Sequence, residues 1–189
     1  MILQIVKYGH PILRAKGARI EKITPEIRKL IDDMFETMHA AAGVGLAAQQ
    51  VGRALQLTVI DVRGAKDRPS TLTLDGKPAD VPGYMPLVLI NPEIRRFGDP
   101  AKGPEGCLSF PEIYADISRP ESVEVRASNA EGKPIHFVAG GLLARAVQHE
   151  TDHLNGILFI DRMSSASKAE LKAELQTLQE QTKARLAER

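Results

Sequence analysis

The stretch GGLLARAVQHETDHLNG (140–156) constrains this chain more than any other. Its first half is apolar at helical spacing, with Leu142, Leu143, Ala146 and Val147 placed to pack, and Gly156 is a natural helix stop. The same helix then carries His149, Glu150, Asp152 and His153. Residues four apart share a helix face, so both imidazoles can bind one metal ion. Glu150 follows the first histidine directly, and its carboxylate is turned toward the side of the metal, where it can take a proton from water. A solvated polar helix face would also hold these residue types. The packed turns before them argue instead for a partly buried helix.

A catalytic site of this kind needs three protein ligands and an open position. The residues after His153 are Leu154, Asn155 and Gly156, so the H-x-x-G-x-x-H continuation of one metallopeptidase class is missing. A downstream carboxylate could come from Glu170 or Glu174, both in a polar tail with charged neighbours. The better third ligand is upstream: Cys107, the chain's one cysteine, in PEGCLSF. One thiolate and two imidazoles suit Zn²⁺ or Fe²⁺. A lone cysteine also excludes an internal disulfide, and without the helix motif it would read as an inert core residue.

The rest of the chain reads as one α+β domain. Residues 25–40 are helical, with Thr24 as N-cap, Pro25 at the first position, and Ile27, Leu30, Ile31, Met34, Phe35 and Met38 on one face. LTVIDV (57–62), LVLINP (87–92) and GILFID (156–161) read as strands, and SVEVRA with PIHFVA as a hairpin. Residues 63–84 are polar, rich in Gly, Pro and Asp, and read as a long surface loop. From Ser164 a last helix carries Leu171, Leu175 and Leu178 on one face. The expected division is residues 1–163 as the catalytic unit and 164–189 as a helical tail of the same domain. With 189 residues, no Trp and 4% aromatics, the core must rest on aliphatic residues and Met. Net charge is +1, which gives no electrostatic footprint for nucleic acid or acidic membrane. No span approaches the roughly 18 apolar residues of a membrane helix.

GVGLAAQQ (43–50) fits the dinucleotide fingerprint G-x-G-x-x-A, yet that fingerprint needs a strand running in and a helix leaving. Here a helix runs in and a strand leaves. A loop bringing backbone close to a substrate, followed by the side-chain amide of Gln50, fits better. Gln50 could donate to a developing oxyanion.

Taken together, GVGLAAQQ, EGCLSF and QHETDH resemble, in order and separation, the three signature motifs of the peptide deformylases, and the likeness extends through YGHPILR and VLINPEI. It covers roughly residues 4–163. The resemblance implies an α+β fold with antiparallel sheets around a central metal-bearing helix, and N-formylmethionyl nascent polypeptides as substrate. It makes Cys107, His149 and His153 the ligands of one divalent ion per chain, Fe²⁺ in vivo with Zn²⁺, Ni²⁺ or Co²⁺ as substitutes. Glu150 becomes the general acid and base, with Gln50 and the Leu108 backbone N–H as oxyanion donors. Val44, Gly45 and Gly106 would line the peptide as an added strand, and the methionine side chain would enter an apolar pocket near Val44 and Leu142.

Two positions depart from many bacterial members: Tyr114 stands where they have Arg, and Arg145 where they have an apolar residue. FPEIYADISRP resembles a branch that includes organelle enzymes. The expected location is the bacterial cytoplasm, or an organelle after loss of a transit peptide. Two other readings compete: a metallopeptidase with Glu170 or Glu174 as third ligand, and an idle deformylase-like module whose tail docks a partner such as the ribosome. The tail's five basic and four acidic residues give the second little electrostatic support.

Overall fold

Thr24 Oγ1 accepts a hydrogen bond from Ile27 N, and Pro25 fills the position whose N–H would have no partner. The first helix therefore starts where those two residues place it. In the computed structural model, which describes residues 1–189, the elements are α1 (Pro25–Ala40), β1 (Gly45–Ala47), β2 (Leu57–Ile60), β3 (Ser70–Leu74), β4 (Lys77–Pro78), α2 (Val81–Tyr84), β5 (Leu87–Cys107), β6 (Phe110–Ser128), β7 (Pro134–Gly140), α3 (Gly141–Leu154) and α4 (Ser165–Ala187). Short 3₁₀ turns lie at Pro11–Arg14, Ala48–Val51 and Phe159–Arg162.

All seven strands join one antiparallel sheet in the order β1-β2-β5-β6-β7-β3-β4. Its centre is buried on both sides, which explains why LVLI is apolar throughout. Side chains alternate across a strand, so Leu87 and Leu89 join the cluster beneath α3 while Val88 and Ile90 join the cluster beneath α1. Met34 and Met38 of α1 are fully buried against Leu46, Leu57 and Val59. Each such side chain contributes about 2 kcal/mol of burial. The β5–β6 ribbon is long and interrupted by three register shifts, the last between Gly106 and Cys107. Bulges of this kind bend a ribbon and re-aim its end. The bend brings the Cys107 end of β5 back over α3.

Two expectations need correction. Residues 63–84 are not a plain loop, since β3, β4 and α2 lie there. Leu74 pairs with Lys77 across Asp75-Gly76, both at positive φ, which is the two-residue hairpin turn that Asp-Gly favours. β3 then pairs with β7 and extends the sheet. GILFID is not a strand either, because Phe159–Arg162 winds into a 3₁₀ turn. Leu158, Phe159 and Ile160 are buried in succession there, and Asp161 Oδ2 accepts from Leu158 N at 2.9 Å. A strand alternating between faces could not bury all three on one side.

α4 is held by its leucine stripe. Leu171, Leu175 and Leu178 pack against a third cluster that contains Leu13, Phe110, Ile113 and Phe159.

Candidate metal centre

α3 is buried on nearly every side: each residue from Leu142 to Leu154 is buried. Its ionisable residues must therefore be paired or shift toward their neutral form, because burying an isolated charge is prohibitive. His149 and Arg145 are paired by Glu105, which precedes Cys107 by two residues on β5. Glu105 Oε1 lies 2.9 Å from His149 Nδ1. A carboxylate can only accept, so Nδ1 carries a hydrogen, and Nε2 is the nitrogen that can bind an ion once it gives up its own.

Around this contact runs a chain of ion pairs. Arg119 grips Glu105 through Nε at 2.6 Å and Nη2 at 2.9 Å, and reaches Asp152 through Nη1 at 2.9 Å. Asp152 also accepts from Arg96 and Arg162. Arg145 donates to Glu105 at 2.8 Å and to the carbonyls of Ile117 and Ala101. Burial acts against the Glu105 charge, but His149 and Arg119 overcome it and hold the carboxyl well below its usual range. A buried pair is weak evidence for stability, yet removing one partner is costly. The network fixes where the face of α3 meets the end of β5.

At that meeting point the Cys107 Sγ and one ring nitrogen each of His149 and His153 lie within 4.8 Å of one another. Cys107 Sγ is 3.3 Å from His153 Nε2. The donor set fits a first-row divalent ion: one soft thiolate and two imidazoles, converging from a strand end and one helix face. Electrostatics agree. Burial opposes charge on His149, but hydrogen bonds to Cys107 and Glu105 raise its pKa well above the ordinary value, so the pocket favours a cation on that ring. Burial beside His149 pushes His153 well down, leaving it a neutral imidazole. Glu170 and Glu174 are exposed on α4, outside this cluster.

Glu150 lies against the bare Cα of Gly45. A Cβ there would sit 2.5 Å from Glu150 Oε1, so only glycine at this point of β1 leaves room for the carboxylate. Glu150 Oε2 is buried without a hydrogen-bond partner. Burial pushes the Glu150 pKa up to about 7, with His149 and Arg119 pulling partly the other way. Such a group can both accept and return a proton near neutrality. Gln50 accepts from Ala47 N at 2.9 Å through Oε1, which fixes its amide. Its Nε2 then points at Ser109 Oγ, 3.2 Å, and Cys107 Sγ, 3.6 Å. Leu108 lies in the turn joining β5 to β6, and its side chain covers Gly43.

These residues border a cavity of about 610 Å³, whose walls include Val44, Gly45, Gly106, Leu108 and Leu142. β1 is an edge strand, paired only with β2, so its outer edge is free beside the cavity. Gly106 pairs with Tyr114 on β6, and a Cβ at Gly106 would meet the Tyr114 ring at 2.6 Å. The sequence-derived site residues thus all reach one place, with the three motif segments in mutual contact.

The family model for polypeptide deformylase matches residues 2–169. The chain belongs to the peptide deformylase family. Among its relatives, the peptide deformylase of Methylacidiphilum infernorum is 49% identical over 178 residues, 94% of this chain and 93% of the relative. That of Opitutus terrae is 45% identical over 186 residues, 97% and 96% of the two chains. A peptide deformylase from Synechococcus elongatus, solved in complex with actinonin, shares 42% identity and a TM-score of 0.77, covering 91% of this chain and 87% of that one. The Arabidopsis thaliana peptide deformylase 1B, solved in complex with an inhibitor, is 37% identical with a TM-score of 0.83, covering 97% and 93%.

Within this peptide deformylase frame the two unusual residues find different places. Arg145 is no loose charge in the cavity wall. Its guanidinium turns to Glu105 and fills space beside Gly103, where a Cβ would lie 3.2 Å from Nη2. Tyr114 is 69% exposed and stands at the rim. Sequence reasoning missed the ion-pair network behind His149. Glu105 stands inside the PEGC segment and Asp152 inside HETDH, but nothing local joins either to Arg119. A buried helix rich in charge was the one available signal that such partners must exist.

Proposed function

We propose that Cys107, His149 and His153 hold one divalent ion and that Glu150 moves the proton in a deformylation reaction at this cavity. Removal of the formyl group from the N-terminal methionine of new polypeptides, with release of formate, is the activity that family membership assigns. The observation that carries the site reading is the convergence of one sulfur and two ring nitrogens beside a buried carboxylate whose pKa is about 7.

A bound divalent ion supplies Lewis acidity and lowers the pKa of water near it. The remaining steps belong to the chain. Glu150 accepts a proton from the attacking water and later gives it to the leaving amine. The Gln50 amide and the Leu108 N–H donate to the negative charge that develops on the formyl oxygen. The free edges of β1 at Gly45, just after Val44, and of β5 at Gly106 support a substrate bound as an added strand, held by backbone hydrogen bonds that are indifferent to sequence. Leu142 and Val44 support an apolar seat for the methionine side chain.

Fe²⁺ is the ion proposed for the native protein, with Zn²⁺, Ni²⁺ or Co²⁺ able to replace it. Cys107 is only partly buried, so an iron-loaded preparation should lose activity in air while the Cys107 peptide gains oxygen by mass spectrometry. Persistence of full activity in air with Cys107 reduced would count against iron. The leucine stripe of α4 is used inside the domain, so a ribosome contact through the tail would fall on its outer, charge-balanced face. No helix is long and apolar enough to cross a membrane.

The test is formate release by metal-replete protein from short N-formylmethionyl peptides, with acetylmethionyl peptides left nearly untouched. Absence of formate under anaerobic conditions would overturn the reading. Metal retained in full by Cys107→Ser would favour a metallopeptidase of another kind.

A further inference from the structure

Residues 6–8 belong to no strand, yet they tie together the two segments that carry the oxyanion donors. Val6 N donates to Gln50 O at 2.8 Å, and Tyr8 N donates to Ser109 O at 3.0 Å. In extended chain, alternate side chains point to opposite sides. Val6 and Tyr8 pack into the cluster that holds Phe110 and Cys107, with the Tyr8 ring stacked on Phe110 at 4.8 Å. Lys7 between them lines the cavity, and its Nζ donates to Leu108 O at 2.8 Å. We propose that Lys7 is a positioning residue for deformylation: its ammonium group fixes the Leu108 turn against Gln50, so that the two oxyanion donors face the same point.

Three features support this. The Cys107–Phe110 turn contains only Leu108 and Ser109, and each of those carbonyls is held by the 6–8 segment. Locking the Leu108 carbonyl also restricts the N–H of the same residue, because both flank one Cα. Lys7 is half-buried, and burial pushes the pKa of its ammonium down. The ammonium makes no ion pair and its one hydrogen-bond partner is the Leu108 carbonyl, so what its burial costs is recovered at this turn.

The inference rests on Gln50 and Leu108 as oxyanion donors, and the experiment separates the two. Lys7→Met keeps the aliphatic stem, Lys7→Arg keeps the charge, and Gln50→Ala removes the other donor. Steady-state formate release, metal content and Tm are measured for each, and for Lys7→Met combined with Gln50→Ala. Loss of one charge-assisted hydrogen bond predicts a kcat lower by about 10- to 100-fold in Lys7→Met. KM should stay within about twofold, with metal and Tm unchanged, Lys7→Arg should recover part of the rate, and the double variant should lose less than the product of the two single losses. A slow Gln50→Ala with a full-rate Lys7→Met would overturn the proposal and leave the oxyanion reading standing. A full-rate Gln50→Ala would sink the oxyanion reading, and the Lys7 proposal with it whatever the rate of Lys7→Met. Metal loss or unfolding in Lys7→Met, or losses that simply multiply, would equally overturn it by assigning Lys7 a structural or unrelated role.

Discussion

Adding one methyl group at Gly45 should separate positioning of the proton carrier from binding of the metal. A Cβ at this position would lie 2.5 Å from Glu150 Oε1 and 2.8 Å from its Cδ and Cγ. Ordinary contact needs about 3.5 Å, so one partner must yield by about 1 Å. β1 is pinned to β2 through Gly45–Ile60, Leu46–Val59 and Ala47–Thr58, and Gly45 is itself buried. The carboxylate is the softer partner. A misplacement of about 1 Å in a reacting group costs on the order of a hundredfold in rate, or about 2.7 kcal/mol of transition-state stabilisation. Gly45→Ala should therefore bind one equivalent of metal, because Cys107, His149 and His153 are not displaced, while kcat for formate release falls by about that factor. The assay is formate production under metal-replete, anaerobic conditions, with metal content measured on the same sample. An unimpaired Gly45→Ala, or one that loses its metal, would refute the packing argument.

Glu105→Gln keeps the shape of the side chain but weakens its hold on His149, so metal affinity should fall by about 10- to 100-fold in an equilibrium titration; unchanged affinity would reduce Glu105 to a purely structural partner. Arg63 holds Asp61 at a pKa of about 2, with burial opposing and His39 assisting. Its unfolded value is about 3.9, so the stabilisation is present above pH 4 and is lost as pH falls through about 2. Between those values the Tm of the wild type should fall more steeply than that of Asp61→Asn, and parallel curves would contradict the assignment. Truncation after residue 166 removes Leu171, Leu175 and Leu178, each partly buried. At about 1 kcal/mol each, the loss of about 3 kcal/mol should lower Tm by about 10 °C while kcat at low temperature stays near wild type. Strong loss of kcat in folded truncate would place part of the site on α4.

What could be read from the sequence depended on how local its causes are. α1 announces itself through Thr24, Pro25 and an apolar face, and α3 through a packed half followed by its histidines. The β6–β7 hairpin follows from alternation. Asp75-Gly76 carried a hairpin signal as well, but it sat in a polar stretch, and β3 is stabilised by pairing with β7 more than 60 residues later in the chain. GILFID has strand composition and loses to tertiary burial of three successive apolar residues. The proposed metal ligands were legible because His149 and His153 share one helical turn and Cys107 is the chain's one cysteine. The Glu105–Arg119–Asp152 network was not, because its members are ordinary charges separated by 14 and 33 residues, and only the fold shows that all three are buried. Lys7 was hidden for the same reason: its partner Leu108 is 101 residues away.

The division of labour at the centre, three residues for the ion and one for the proton, is tested most directly by Glu150→Gln. The amide fills nearly the same volume against Gly45 but cannot take a proton from water. The account predicts one equivalent of metal per chain, unchanged from wild type, with formate release from N-formylmethionyl peptides almost abolished. Loss of the metal would make Glu150 a ligand, and formate release near the wild-type rate would remove it from the chemistry.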